Sequence, residues 1–460
     1  MFYKKELKYR RKYVTKRVML TDFSEPIKDS VQYSINVPFE TAVKLQNISA
    51  DGNGAALNFG ISSMTLPSTT NNITKEVSIY VPKQMTKMWH FNNTIFAIDK
   101  TLELYYLPVG SPEMGFIKLP NILFTKQPQM FVISIDSMPS AVFTSPSATD
   151  NLYIWRSPSV DTISIPSVDL KCATIFGNKI FGIPYNSNII YALSNFDITT
   201  WNIENKQSAT IDCIGKLFNI CQVDGSLYGI GKYGICRIKN SESDFSLANV
   251  FLSSEQLIEN SLCINGNDLY FSTSKGIYRL SDGVVFFISD SVSPNLNDCA
   301  TIDNGFYRIT NNNTLFSYSI LNKTSFTSPI DNTSFLCYIP SASRSVIGYY
   351  DKSPLGIIDA FGSTFGLLND AIWTSPNTVF NAPDKLKRLH SISIYTSNTT
   401  EHLNLTVNCD NTSYYFVVNS SGGFANISIE KAAHTFSFSL ATKCGASVRI
   451  GALCASYSLI

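Results

Sequence analysis

The sequence predicts an all-β chain: a seven-bladed β-propeller with a C-terminal β-sandwich and an N-terminal arm. Three observations predict it. Short runs rich in Ile, Val, Phe, Tyr and Thr recur between Gly, Asn, Asp and Ser clusters, while long amphipathic helical patterns are nearly absent. An aromatic residue returns every 37 to 47 positions through the middle of the chain. A cysteine precedes most of these aromatics at short range.

The aromatic series is Phe96, Phe143, Phe181, Tyr228, Tyr270, Tyr307 and Tyr349, at successive intervals of 47, 38, 47, 42, 37 and 42. These spacings match a four-stranded propeller blade, about 40 to 50 residues. Most members follow a Gly/Asn/Asp turn, as in Phe176-Gly177-Asn178-Lys179-Ile180-Phe181, Asp224-Gly225-Ser226-Leu227-Tyr228 and Asn265-Gly266-Asn267-Asp268-Leu269-Tyr270. Cys172, Cys221, Cys263, Cys299 and Cys337 lie 7 to 12 residues before an aromatic of the series, as a small apolar residue in a crowded inner layer would. In the clearest blade the four strands read as Ala173–Phe176, Ile180–Ile183, Ile189–Leu193 and Thr199–Ile203. A single blade exposes apolar faces and unpaired edges; a closed ring of blades buries both.

After Pro383 the pattern changes to longer alternation. Six strands are expected, at Ser391–Tyr395, Leu403–Val407, Tyr414–Val418, Phe424–Ile429, Thr435–Leu440 and Ser447–Ile450, a sandwich-like density. Before the repeat, the stretch to about Tyr80 has strand and turn signals, including Asp51-Gly52-Asn53-Gly54, and suits an extra sheet or closure of the ring. The expected domains are therefore 1–80, 81–380 and 381–460, and a chain of 460 residues exceeds what one core serves.

Charged residues are only 15% of the chain and the formal net charge is +1, so nothing pulls the whole molecule toward nucleic acid or membrane. The asymmetry is local. Lys4, Lys5, Lys8, Arg10, Arg11, Lys12, Lys16 and Arg17 face one acid, Glu6, and form a basic arm. It reads as a solvated tail, as a docking element for an acidic protein neighbour, or as a nucleic-acid contact. No apolar stretch approaches the roughly 20 residues that span a bilayer, and the basic N-terminus leads into no signal-peptide core. The ten cysteines show no C-x-x-C pair, and buried free thiols are expected.

Catalytic signatures are missing. The four histidines, His90, His390, His402 and His434, are too few and too clustered for a general acid–base site, and no G-x-S-x-G, P-loop or H-E-x-x-H occurs. Carboxylates such as Asp99, Asp161 and Asp359 are scattered. The expectation is a protein with no catalytic, cofactor-binding or metal-binding residues. Gly225 and Gly231 read as turn glycines needing positive φ, and the strand-centred aromatics as core.

Two passages resemble a known family. Trp373-Thr374-Ser375, then Pro383-Asp384-Lys385-Leu386-Lys387-Arg388-Leu389, then Ser391-Ile392-Ser393-Ile394-Tyr395, is similar to the passage from propeller to terminal sandwich in tail nozzle and tail hub proteins of short-tailed phages, the tail tubular protein B type. Asp51 to Gly60 is similar to the stretch by which phage propeller proteins begin their first blade. The resemblance implies a virion protein made in the host cytoplasm, a subunit of a six-fold homo-oligomeric ring in the tail. Its partners would be other tail, portal or adaptor proteins, with DNA passing through the lumen without sequence-specific binding. The alternative is a carbohydrate- or receptor-binding propeller of a virion.

Overall fold

The computed structural model describes residues 15–20, 44–46, 48–50, 56–58, 60–63, 85–108, 116–135, 137–156, 162–165, 169–193, 207–240, 245–303, 305–321, 323–330, 333–339, 344–349, 356–359, 371–442 and 450–460. These residues are almost entirely β, without an α-helix. The chain divides into two compact units: Met1–Gly60, Tyr318–Ser328 and Ala360–Ile460 make one, and Ile61–Ser317 with Pro329–Asp359 the other.

The second unit contains five four-stranded antiparallel sheets whose strands follow in sequence order, then three strands of a larger sheet and a last four-stranded sheet. The first comprises Met85–Phe91, Thr94–Asp99, Leu104–Pro108 and Ile117–Lys118. Gln129–Ile135, Met138–Thr144, Leu152–Arg156 and Thr162–Ile165 form the next. Then come Cys172–Phe176, Lys179–Ile183, Ile189–Leu193 and Gln207–Thr210. Leu217–Val223, Ser226–Gly231, Gly234–Asn240 and Phe245–Leu252 follow, and after them Cys263–Asn265, Asp268–Thr273, Gly276–Ser281 and Val284–Ser289. The strands Ala300–Asp303, Phe306–Asn311 and Thr314–Ser319 continue the order. In the last sheet Thr333–Ile339, Arg344–Tyr349 and Gly356–Asp359 receive their fourth strand from Gly60–Ser63, at the other end of the unit's sequence.

Burial explains the strand composition. Second strands are apolar on both faces, and Thr94–Asp99 and Ser226–Gly231 are buried at every residue. Fourth strands such as Phe245–Leu252 and Val284–Ser289 are largely open to solvent. All seven aromatics of the series lie on the second strand of their sheet. Phe96, Phe143, Phe181, Tyr228, Tyr270 and Tyr307 are among the largest fully buried side chains. Neighbouring sheets meet through them: the ring of Phe96 stands edge-on to Phe143, and Tyr270 stacks on Tyr307 at 5.8 Å. The first strands of the last and first sheets also meet, with Phe335 and Cys337 in one core with Met85, Met88 and Ile95.

The fourth strand of the third sheet differs from expectation. It is Gln207–Thr210, paired with Ile189–Ala192, whereas 199–203 lies outside the described residues. Its sequence, Gln-Ser-Ala-Thr, is polar because the strand is outermost, so a search for apolar runs passes over it.

In the first unit the six strands expected after Pro383 are four among the described residues. Lys387–Cys409 and Thr412–Ala433 form one long hairpin, followed by Phe436–Thr442 and Ile450–Leu459; residues 447–449 lie outside the described residues. The Thr/Ser/Asn/Gly tracts that read as turns are passed by β-bulges, at Thr396/Thr399 and Thr400/Leu403, which bend the hairpin without ending it. Opposite Thr412–Ala433, the first half of Lys387–Cys409 pairs with Ile450–Leu459 and the second half with Phe436–Thr442. Ala371–Thr374, expected in the last blade, instead pairs with Phe436–Thr442 and with Lys44–Gln46. Thr15–Leu20 pairs antiparallel with Ile450–Leu459.

The residues behind the family resemblance are structural. Trp373 is buried; Ser375 N donates to Phe438 O, and Phe438 N donates to Ser375 Oγ at 2.9 Å. Lys387 is fully buried, and its Nζ donates to the carbonyls of Lys385 at 2.7 Å and His434 at 2.6 Å. Phe380 stacks on Tyr457 at 4.4 Å.

Candidate functional site

The residue positions nominated for docking divide in two. Lys16 and Arg17 sit on the edge strand Thr15–Leu20, opposite Tyr457 and Ser456, so the basic arm ends inside a sheet. Lys4, Lys5, Lys8, Arg10, Arg11 and Lys12 lie outside the described residues.

A different site emerges in the second unit. Loops of the third, fourth and fifth sheets and the connection after the fifth line an open cavity of about 390 Å³. Lys171 and Lys216 reach it from equivalent positions, each just ahead of the first strand of its sheet. Tyr185 and Asn186 come from the turn after Lys179–Ile183, and Lys232 from the corresponding turn of the next sheet. Gln256, Leu257 and Glu259 come from the loop between the fourth and fifth sheets, and Leu296 from the connection after the fifth. Leu217 and Phe218 complete the lining.

Backbone hydrogen bonds hold these loops together. Leu217 N donates to Ser187 O at 2.7 Å, Lys232 N to Lys216 O at 3.0 Å, and Leu257 N to Lys232 O at 2.9 Å. Two glycines permit the close approach. A Cβ at Gly231 would stand 2.6 Å from Ile214 O, and one at Gly234 would stand 2.3 Å from Phe251 O. Gly231 is thus required by backbone contact, not by the positive φ that the sequence suggested; Gly225, at φ 64°, is the turn glycine.

Three lysines and one carboxylate carry the charge of the lining. Lys171 Nζ pairs with Glu259 at 2.7 Å and lies 5.9 Å from the centroid of the Phe218 ring. Lys216 Nζ donates to Asn186 Oδ1 at 2.6 Å, and Lys232 Nζ lies over the Tyr233 ring at 5.3 Å. Among the described residues no carboxylate pairs with Lys216 or Lys232. The Tyr185 hydroxyl shares a hydrogen bond with Thr144 Oγ1 at 3.0 Å, and burial pushes it well above the usual phenol range.

The Lys171–Glu259 pair also acts on Lys87, in the first strand of the first sheet. Lys87 is lowered to about 8, chiefly by burial; Glu259 opposes the shift and Lys171 adds to it. Its Nζ donates to Gln129 Oε1 at 2.7 Å. Protonated Lys87 therefore costs the folded state stability below about pH 8. Between about 8 and the usual 10.5, the unfolded chain holds the extra proton, and stability rises with pH. Lys87→Met should exceed the native protein in stability by ~1–3 kcal/mol at pH 7. That advantage should shrink as pH climbs to 10.5, followed by thermal unfolding at stepped pH; an advantage independent of pH would refute the assignment.

The inner-strand thiols are held as neutral groups. Burial raises Cys172, Cys221, Cys299 and Cys337 each to about 12, and Cys263 above that range. A thiol kept protonated at neutral pH is a poor nucleophile and a poor metal ligand. Not every cysteine is buried as expected: Cys213 is exposed, at the start of a loop between sheets, with its Sγ 2.9 Å from Asn249 Oδ1.

The lysines were legible only in part. Lys171 and Lys216 each directly precede a first strand, Cys172–Phe176 and Leu217–Val223, but stand 10 and 12 residues before Phe181 and Tyr228, so alignment on the aromatics does not superpose them. Lys232 and Glu259 carry no such mark.

The sequence matches no protein-family profile and no curated protein. Among solved structures, the chain is similar to YCF48 bound to D1 peptide, with TM-score 0.41 and 12% identity over 66% of this chain and 100% of that one. It is similar to a chain of the mitotic checkpoint complex, with TM-score 0.43 and 9% identity over 65% and 97%. It is also similar to PorZ, a bacterial surface component of the type-IX secretion system of Porphyromonas gingivalis, with TM-score 0.41 and 12% identity over 74% and 46%.

Proposed function

We infer that the chain is a structural subunit of a phage tail, a seven-bladed propeller with a C-terminal sandwich that assembles through its non-propeller unit into a ring. The observation that carries this reading is the surface of the long hairpin. On Thr412–Ala433, Tyr415, Val417 and Phe424 are 79%, 63% and 68% exposed, and among the described residues this strand pairs only with Lys387–Cys409. Exposed apolar side chains on an open strand edge are an aggregation hazard for a monomer and a suitable contact for an assembly. Cyclic symmetry satisfies such a contact in every copy without leaving open ends.

Two further features support the reading. The passages resembling tail nozzle proteins occupy buried structural positions around Trp373 and Lys387, so the resemblance lies in residues that build the unit. The meeting of the first and last sheets, with Gly60–Ser63 completing the last, suits a closed, rigid propeller. In this reading the six-fold ring contacts portal, adaptor or other tail proteins, lets DNA slide through, resides in the virion tail and performs no catalysis.

Electron microscopy of the purified protein tests it. Rings are expected, and Val417→Lys should convert them to folded monomers, because a lysine on an open edge blocks further pairing. Monomers of the native protein at micromolar concentration, or rings indifferent to Val417→Lys, would overturn the assembly. Removing residues 1–13 deletes six of the arm's eight basic residues while keeping the strand Thr15–Leu20. Docking on an acidic partner ring should then weaken, as it should in raised salt.

A further inference from the structure

Beyond the tail reading and independent of it, we propose that the lysine-rimmed cavity binds a small hydroxyl-rich anion, a sugar acid or sugar phosphate. The cavity, about 390 Å³, falls within the size of small-ligand clefts, roughly 300 to 1,000 Å³. Its chemistry divides along its walls. Lys216 and Lys232, on loops bonded backbone to backbone, supply positive charge without a carboxylate partner among the described residues. Asn186, Gln256 and Glu259 supply acceptors and donors for hydroxyl groups. Leu217, Phe218 and Leu257 form an apolar floor against which a sugar ring lies.

The ion pair Lys171–Glu259 adds specificity. It fixes one carboxylate in the cavity, which accepts from sugar hydroxyls yet repels a second anionic group placed on its side. The anion is therefore oriented toward Lys216 and Lys232. Ammonium groups give point-charge attraction without bidentate geometry, so carboxylate and phosphate both fit, whereas a neutral sugar lacks the principal contact. The tightly bonded loops, with no room for a Cβ at Gly231 or Gly234, hold the lysines in place before the ligand arrives.

Titration calorimetry on the full chain decides between the outcomes, with glucuronate, glucose 6-phosphate, glucose and inorganic phosphate as probes. Glucuronate, glucose 6-phosphate or both should bind at least about tenfold more tightly than glucose, and the better of the two identifies the anionic group. Lys216→Glu, at an exposed position, and Lys232→Met should each weaken that binding about tenfold or more while unfolding at the native temperature. Equal binding of glucose and the anionic sugars would overturn the charge assignment. Inorganic phosphate binding as tightly as the sugars would overturn the sugar assignment. Absence of binding by all four at millimolar concentration, or native affinity in both variants, would overturn the site. None of these outcomes bears on ring assembly.

Discussion

Asp303→Ala is expected to destabilise the protein by about 3–5 kcal/mol. Asp303 and Arg308 are 2% and 1% exposed, and Arg308 Nε donates to Asp303 Oδ1 at 2.6 Å. Arg308 Nη1 donates to Ser317 Oγ at 2.7 Å, and Ser345 Oγ donates to Asp303 Oδ2. Ser345 belongs to the last sheet, so the carboxylate joins two sheets as well as balancing a guanidinium. Alanine would leave that guanidinium buried without its counter-charge. The pair Asp303→Leu with Arg308→Met removes both charges and should cost far less than the single change, since apolar replacement of a buried ion pair is often near neutral. Denaturant unfolding of both variants measures the difference. A single-variant loss under 1 kcal/mol would show that water reaches the pair.

Phe96→Ala should cost about 3–5 kcal/mol through the lost apolar contact and the cavity left behind. Phe96 is fully buried, with its ring centroid 5.1 Å from both Phe143 and Trp155 of the next sheet. Both contacts are edge-to-face, a geometry that adds to the area term. Val132→Ala, on the half-exposed face of the second sheet, should change stability by no more than about 0.5 kcal/mol. Thermal unfolding of the two variants side by side tests this. Equal losses would mean that the aromatic series does not join the sheets.

Much of the fold was legible because the repeat is local. The four-stranded sheets form chiefly from strands adjacent in sequence, and the second strand is the most buried, so an aromatic on that strand marks the copies. Phe181, Tyr228 and Tyr270 were found for that reason, each following its Gly-containing turn. Outer strands such as Gln207–Thr210 escaped because solvent leaves their side chains unconstrained. The long hairpin was read as four strands because Thr, Ser, Asn and Gly occur alike in turns and in bulged, solvent-facing strand segments.

The candidate site was less legible than the fold. Its lysines sit on three loops, 45 and 16 residues apart in sequence, and nothing in a lysine's neighbours announces that it faces a cavity. The basic arm drew attention instead, since consecutive charges are visible in a sequence and converging ones are not.

By itself the sequence determined the all-β class, the spacing of the four-stranded sheets and the positions of the buried aromatics, all set by short-range alternation and turn chemistry. Only the tertiary structure decided that Gly60–Ser63 completes the sheet of Gly356–Asp359, that Thr15–Leu20 lies beside Ile450–Leu459, and that Lys171, Lys216 and Lys232 share one cavity. The reason is physical. The entropy of closing a long loop grows only slowly with its length, so distant partners are selected by complementary packing and edge pairing, which local residue preferences do not record.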